Sequence, residues 1–346
     1  MGNTERSPGR ANARGVWLSL LVWTGLLLGS CGRTGEEVVV YTSVDQVFSQ
    51  PVFREFEKRT GVRVAALFDT EETKSTGVLN RLLAESSHPR ADVFWSGDPM
   101  RALALIQRGL VESYASPALA AIPPAFRSED ATWAGVAARA RVLLVNRARL
   151  AGRTEPRSIR DLGDPRWKGE AALANPLYGT TTMHAAALFS VWGDEEAKRF
   201  FTAVRENQTR VASSNGEVKR LVVTGEATFG LTDTDDANEA SKSGAAVSIV
   251  YPDQDGMGTL VIPTAVVLLR NGPHPAQGRA LMDYLLSADV ELRLARDAAQ
   301  MPVRSDVAPP EGVHRVDEIR AMRVDYAALG ALMERVQPWL RNWAGL

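Results

Sequence analysis

Cysteine is nearly missing: the 346-residue chain has one, Cys31. That excludes an internal disulfide framework and any zinc or iron–sulfur site built on paired cysteines. Histidine is scarce as well. His88, His184, His274 and His314 each stand alone, with no HExxH or paired-metal spacing around them, and there is no nucleophile elbow. Enzymatic hydrolysis therefore has no motif behind it. Neither charge is in excess, because 40 Lys+Arg face 41 Asp+Glu for a formal net charge of -1. No global basic field draws the chain to nucleic acid or to anionic lipid. Past residue 30 no apolar run approaches the ~20 residues of a membrane span. Repeats and low-complexity tracts are absent too. What remains, 45% hydrophobic and 23% charged residues, suits a soluble globular protein of more than one domain.

The concentrated apolar run is at the start. Arg6, Arg10 and Arg14 precede Val16 to Leu28, a basic n-region and an h-region too short to span a bilayer. The run closes on Leu28-Gly29-Ser30-Cys31-Gly32, which resembles a bacterial lipobox, where small residues precede a cysteine that is acylated before cleavage. Residues 1–30 are then a lipoprotein signal peptide, Cys31 the lipidated residue and 31–37 a polar tether. An ordinary signal peptide or an uncleaved anchor is the alternative. The lipoprotein reading places the body outside the cytoplasm, lipid-anchored at the bacterial cell envelope.

Strand and helix signals alternate through the body. Val38–Tyr41, Val62–Phe68 and Asp92–Trp95 read as strands, with helical spacing at Val52, Phe53, Phe56 and at Val78, Leu79, Leu82, Leu83 between them. After the prolines at 123 and 124 the alternation resumes: strands at Val142–Val145, Ala171–Ala174, Ala227–Leu231 and Val247–Val250, helices at Thr181–Trp192 and Glu195–Glu206. Two such blocks imply two α/β lobes. Helices at Pro275–Leu286, Ala288–Ala298 and from Tyr326 to Trp343 follow, all expected to pack on the first lobe.

Several phrases fall in a telling order: Val39-Val40-Tyr41-Thr42-Ser43, Ala91-Asp92-Val93-Phe94-Trp95, Asp164-Pro165-Arg166-Trp167-Lys168-Gly169, Asn175-Pro176 and Val261-Ile262-Pro263. Together they resemble the extracellular solute-binding proteins of ABC importers, of the ferric-ion-binding type. The resemblance implies the two-lobed periplasmic-binding-protein fold of class II, a non-enzymatic role, and ligand capture by hinge closure. It also implies delivery to an ABC permease with a cytoplasmic ATPase, by a protein expected to be monomeric. The crossings fall near Ala134–Arg141 and Thr259–Ala265, so that lobe one is Glu36–Thr132 plus Thr264–Leu346 and lobe two covers 134–262. Gly256 and Gly258 are read as hinge glycines.

Ligands of such sheets sit at the carboxyl ends of strands, which singles out Ser43, Asp45, Ser96 and Asp98 on lobe one. Lobe two adds Tyr178, Gly179, Thr180, Thr181, Asp233, Thr234 and Asp235. The turns Gly179-Thr180-Thr181 and Ser75-Thr76-Gly77 precede helices, whose free first-turn amides attract anions, although Ser and Thr are also ordinary caps. Three carboxylates in Thr232-Asp233-Thr234-Asp235-Asp236 repel one another unless a cation sits among them or some turn to water or cap the next helix. Tyr178 serves as ligand or as aromatic lid.

The family's metal site is not kept residue by residue. Where ferric-binding proteins carry two adjacent tyrosines this chain has Thr234-Asp235, their histidine is matched by Asp45 and their acidic ligand by Asp98. The metal candidates are thus Asp45, Asp98 and Asp235, acceptable hard donors. The expected solute contains a cation: by family default a ferric ion or ferric complex, carried as cargo and not as a cofactor. Zwitterions such as an aminoalkyl phosphonate are the alternative. A lipoprotein that signals instead of feeding a permease is a further one.

Overall fold

The structure, a computed structural model, describes residues 1–2, 36–69 and 77–345. Cys31, Ser75 and Thr76 lie outside the described residues, as does the leader. Met1–Gly35 form one unit and Glu36–Leu346 another; the second is the folded body.

Its first half alternates as the sequence suggests. β1 (Glu37–Thr42), α1 (Gln46–Thr60), β2 (Arg63–Phe68), α2 (Gly77–Ala84), β3 (Val93–Ser96), α3 (Pro99–Gln107) and β4 (Val111–Glu112) lead to β5 (Ala134–Asn146). β1 runs parallel to β2 and β3. α1 lays Val52, Phe53 and Phe56 on that sheet and stops at Gly61, whose φ of 75° is the left-handed conformation a C-cap favours.

The second half holds β6 (Ala171–Ala174), α4 (Gly179–Trp192), α5 (Asp194–Glu206), β7 (Arg210–Ala212), α6 (Asn215–Val223), β8 (Phe229–Asp233), α7 (Thr234–Lys242) and β9 (Val247–Val250). β10 (Val261–Leu269), α8 (Pro275–Leu285), α9 (Ala288–Ala298) and α10 (Tyr326–Ala344) complete the chain. Strand order is β2-β1-β3-β10-β5-β8-β6-β7. β5 starts eight residues before the strand signal at Val142, because Ala134 to Ala138 is a run of short, buried Ala, Gly and Val side chains with no alternation to read.

β5 joins the two lobes. Its first half pairs antiparallel with β10, from Ala134↔Val266 to Ala140↔Val261. Its second half pairs antiparallel with β8 and β9. Both crossing strands thus run antiparallel to their neighbours. One apolar cluster gathers around Val40, Phe53, Phe56 and Trp95 and another around Val142, Leu144, Val218 and Ala237, while a third runs from Tyr41 and Phe94 through Leu143 and Phe189 to Leu340 and so spans both lobes.

The C-terminal helix departs from expectation. α8 packs on β1, β3 and β10, but α10 lies against α4 of the second lobe and α3 of the first. Trp343 donates through Nε1 to the Phe201 carbonyl at 2.7 Å, and Trp339 and Trp343 meet Phe201 edge to face. The aromatic residues of α4 and α5 offer α10 more apolar surface than the first lobe does, so burial decides its place. Gly258, with φ 86°, lies so close to residues 320–321 that an added Cβ would fall 2.5 Å from the Arg320 carbonyl oxygen. That glycine permits close packing of the chain entering β10.

Candidate functional site

Strand geometry sets the centre of the site. Successive side chains of β5 alternate between faces, so Arg139 and Arg141 share one. In the ladder Arg141 stands opposite Asp233 at the end of β8. Its guanidinium, fully buried, donates from Nη1 to Asp233 Oδ1 at 2.6 Å, to Thr180 Oγ1 at 3.0 Å and to Asn215 Oδ1 at 3.0 Å, and from Nη2 to Thr181 Oγ1 at 3.1 Å. Thr180 Oγ1 donates to Asp233 Oδ2 at 2.8 Å, and Asn215 Nδ2 donates to the same oxygen at 3.0 Å. A buried charge pair needs this density of partners to hold both charges.

The network ends on two helix starts. α4 begins at Gly179, with φ 57°, and Tyr178 at its N-cap position makes no side-chain cap hydrogen bond. The free first-turn amides of a fourteen-residue helix therefore sit beside Arg141, Thr180 and Thr181. Asn215 opens α6, where Ser214 caps the Glu217 amide. His184, one turn into α4, is buried with both ring nitrogens unpartnered; burial first, then the Arg141 charge, holds its pKa down at about 3.

Arg139 faces the aspartates. Asp235, at the second position of α7, lies 3.5 Å from its Nη1. Asp235 first, then Asp233, Asp45 and Asp98, hold the Arg139 guanidinium protonated against the opposing effect of burial. Burial, the largest effect, and the neighbouring Asp233 raise the Asp235 pKa while Arg139 lowers it. Asp236 is pushed up to about 6 by burial, then by Asp235 and Asp233.

On the first lobe, Ser43 Oγ accepts from the Gly97 amide at 2.9 Å and so ties the end of β1 to the end of β3. Asp98 caps α3 through Met100 N at 2.9 Å and pairs with Arg101. Asp45 occupies the N-cap position of α1 without a side-chain cap bond. Ser96 is buried, with its hydroxyl 3.5 Å from the Asp98 amide. On the second lobe Thr234 Oγ1 accepts from Ala140 N at 3.2 Å, which fixes α7 to β5. Tyr178 is 62% exposed, and Gly77 opens α2.

The expected metal set, Asp45, Asp98 and Asp235, is not gathered as ligands. Among the described residues no three of His, Cys, Asp and Glu come together to hold an ion. Asp98 turns to Arg101 and Asp235 to Arg139, and the positive charge among the aspartates belongs to the chain. Asp233 is not a cap either; its carboxylate belongs to Arg141. The sequence reading passed over Arg139, Arg141 and Asn215. A signal was present: Arg139-Ala140-Arg141 puts two charges into a strand otherwise made of Ala, Gly, Val and Leu.

A family model described as bacterial extracellular solute-binding protein matches residues 88–329. The chain is 25% identical over 328 residues to iron uptake protein A1 of Synechocystis, covering 88% of this chain and 89% of that one. It is 27% identical over 328 residues to a putative 2-aminoethylphosphonate-binding periplasmic protein of Salmonella typhi, covering 91% and 90%. Iron-bound HitA from Pseudomonas aeruginosa has the same fold, with a TM-score of 0.78 at 21% identity over 90% of this chain and all of that one.

Proposed function

This chain belongs to the bacterial extracellular solute-binding proteins, non-enzymatic components of ABC importers, and from that premise we propose that its solute is a small organic oxyanion that also carries an amine. An aminoalkyl phosphonate is the type. The observation that carries the reading is the start of α4, where free amides stand beside the Thr180 and Thr181 hydroxyls held by a buried Arg141. Such a corner receives an oxyanion through hydrogen bonds and the helix dipole, while Asp45 and Asp235 receive the amine. Closure about β5 and the start of β10 then brings the lobes onto the solute, whose contacts with both favour the closed state. The body acts as a monomer, tethered outside the cytoplasm through lipid on Cys31, and passes its solute to the permease.

A ferric ion with a synergistic anion is the second reading, supported by iron-binding relatives. It must draw carboxylates away from Arg101 and Arg139, which the first reading does not require.

Calorimetric titration separates the two. With 2-aminoethylphosphonate, phosphate and ferric citrate offered in turn, the phosphonate is expected to bind tightest, and Thr181→Val to weaken it about 10-fold by removing from the corner a hydroxyl whose hydrogen is not already donated to Asp233. Saturable ferric binding with no phosphonate binding would overturn the assignment.

A further inference from the structure

Aspartates from both lobes act on one guanidinium, and that guanidinium has donors to spare. Arg139 shares its face of β5 with Arg141 but makes none of the same bonds. Its pair with Asp235, at 3.5 Å, is longer than a hydrogen bond, and its Nε, like that of Arg141, is buried without a partner. About a fifth of the side chain is exposed. The contrast is chemical: Arg141 spends its Nη donors on Asp233, Thr180, Thr181 and Asn215, whereas Arg139 is held by charge and left short of acceptors. A buried N–H without an acceptor is costly, so such a donor marks a place where an acceptor arrives.

The carboxylates tell the same story from the other side. Asp235 lies between Arg139 and the backbone amide of Asp236, which donates to its Oδ1 at 3.1 Å. Asp233 is committed to Arg141 and Asp98 to Arg101. A metal ion entering this group would stand close to a fixed guanidinium, where like charges repel more strongly than they do in bulk water.

We propose that Arg139 is the specificity-determining residue of the cleft, a tethered cation that donates to oxygen atoms of the bound solute and keeps free metal ions out of the aspartates around it. This deepens the oxyanion reading, since it rests on the same cleft, and it explains how an acid-rich cleft admits an organic solute in place of a bare cation. The solute's oxygen supplies the acceptor that Arg139 Nε lacks.

The test uses terbium(III) luminescence and 2-aminoethylphosphonate calorimetry on the wild-type protein, Arg139→Met and Arg139→Lys, with folding checked by circular dichroism. Arg139→Met keeps the length of the stem and removes the charge, so it is expected to bind terbium about 100-fold tighter than wild type, a gain abolished by adding Asp235→Asn. Arg139→Lys should exclude terbium as wild type does, yet lose phosphonate affinity because the planar fork is gone. Folded Arg139→Met that gains no terbium affinity would overturn the proposal. So would wild-type protein that binds terbium in the micromolar range with a signal lost in Asp235→Asn, and this arm holds even if Arg139→Met does not fold. The two readings fail separately: a terbium gain without phosphonate binding by wild type leaves Arg139 as the excluder and removes the solute assignment. Phosphonate binding unchanged in Arg139→Met, with no terbium gain, does the reverse.

Discussion

Two buried acids, one in each lobe, are held in opposite ways. In the second lobe, Arg141 is enclosed with Asp233, Thr180, Thr181 and Asn215, and every oxygen of Asp233 has a donor. In the first, Glu291 of α9 is equally enclosed, yet one of its oxygens has no partner and the other accepts only the Arg304 amide, at 3.2 Å. Burial therefore raises the Glu291 pKa to about 8, with the hydrogen bond from Arg304 opposing it. The lesson concerns partner number: a buried group keeps its charge when its neighbours replace water, and gives the charge up when they do not.

The sharpest way to break this comparison is to remove the guanidinium. Arg141→Met leaves Asp233 buried beside one hydroxyl and one amide, and is expected to destabilise the protein by about 3–5 kcal/mol in urea unfolding. Adding Asp233→Leu should recover a large part of that loss, because the uncompensated charge is removed with its partner. If the single variant is as stable as wild type, Arg141 is not the anchor of the second lobe.

Glu291 gives a smaller effect with a characteristic pH signature. Its folded pKa is above its unfolded value, so the stability linked to its proton is complete below about pH 4.5 and drains away as pH rises through about 8. Glu291→Gln keeps the shape without the ionisation. The variant should match wild type near pH 5 and exceed it by about 2–4 kcal/mol at pH 9. Melting curves at the two values decide it: equal slopes of stability against pH in both proteins would mean that Glu291 ionises inside the lobe without cost.

Much of this architecture was legible in the sequence, and the gaps have a common cause. The alternation of apolar strands with amphipathic helices revealed β1 to β3, α4 and α5, because their side-chain periods are local. The hydroxyl turn at Gly179–Thr181 and the aspartates at 233 and 235 stood out for the same reason. The pairing of Arg141 with Asp233 did not, since the two are 92 residues apart and meet only when β5 and β8 align. The first half of β5 was placed only as a chain crossing near Ala134–Arg141, from the resemblance; its strand was not read from periodicity because Ala134 to Ala138, buried on both faces, carry no alternation. The seat of α10 was misjudged because amphipathic periodicity says that a helix packs, and leaves open which surface receives it.

At the bottom of the scale stands the exposed charge. Arg335 of α10 makes two hydrogen bonds to Asp194 of α5, at 2.7 and 2.8 Å, as good a geometry as that of Arg141 with its aspartate. Both side chains, however, are in water, with 54% and 38% of their surface exposed. Water and salt screen such a pair within about 8 Å at physiological ionic strength, and the cost of fixing two long side chains offsets what attraction is left. Arg335→Ala should leave the melting temperature unchanged at physiological salt, with α10 kept in place by Trp339 and Trp343 against Phe189 and Phe201. A drop comparable to that of Arg141→Met would mean that geometry alone sets the strength of an ion pair here, whatever its exposure to water.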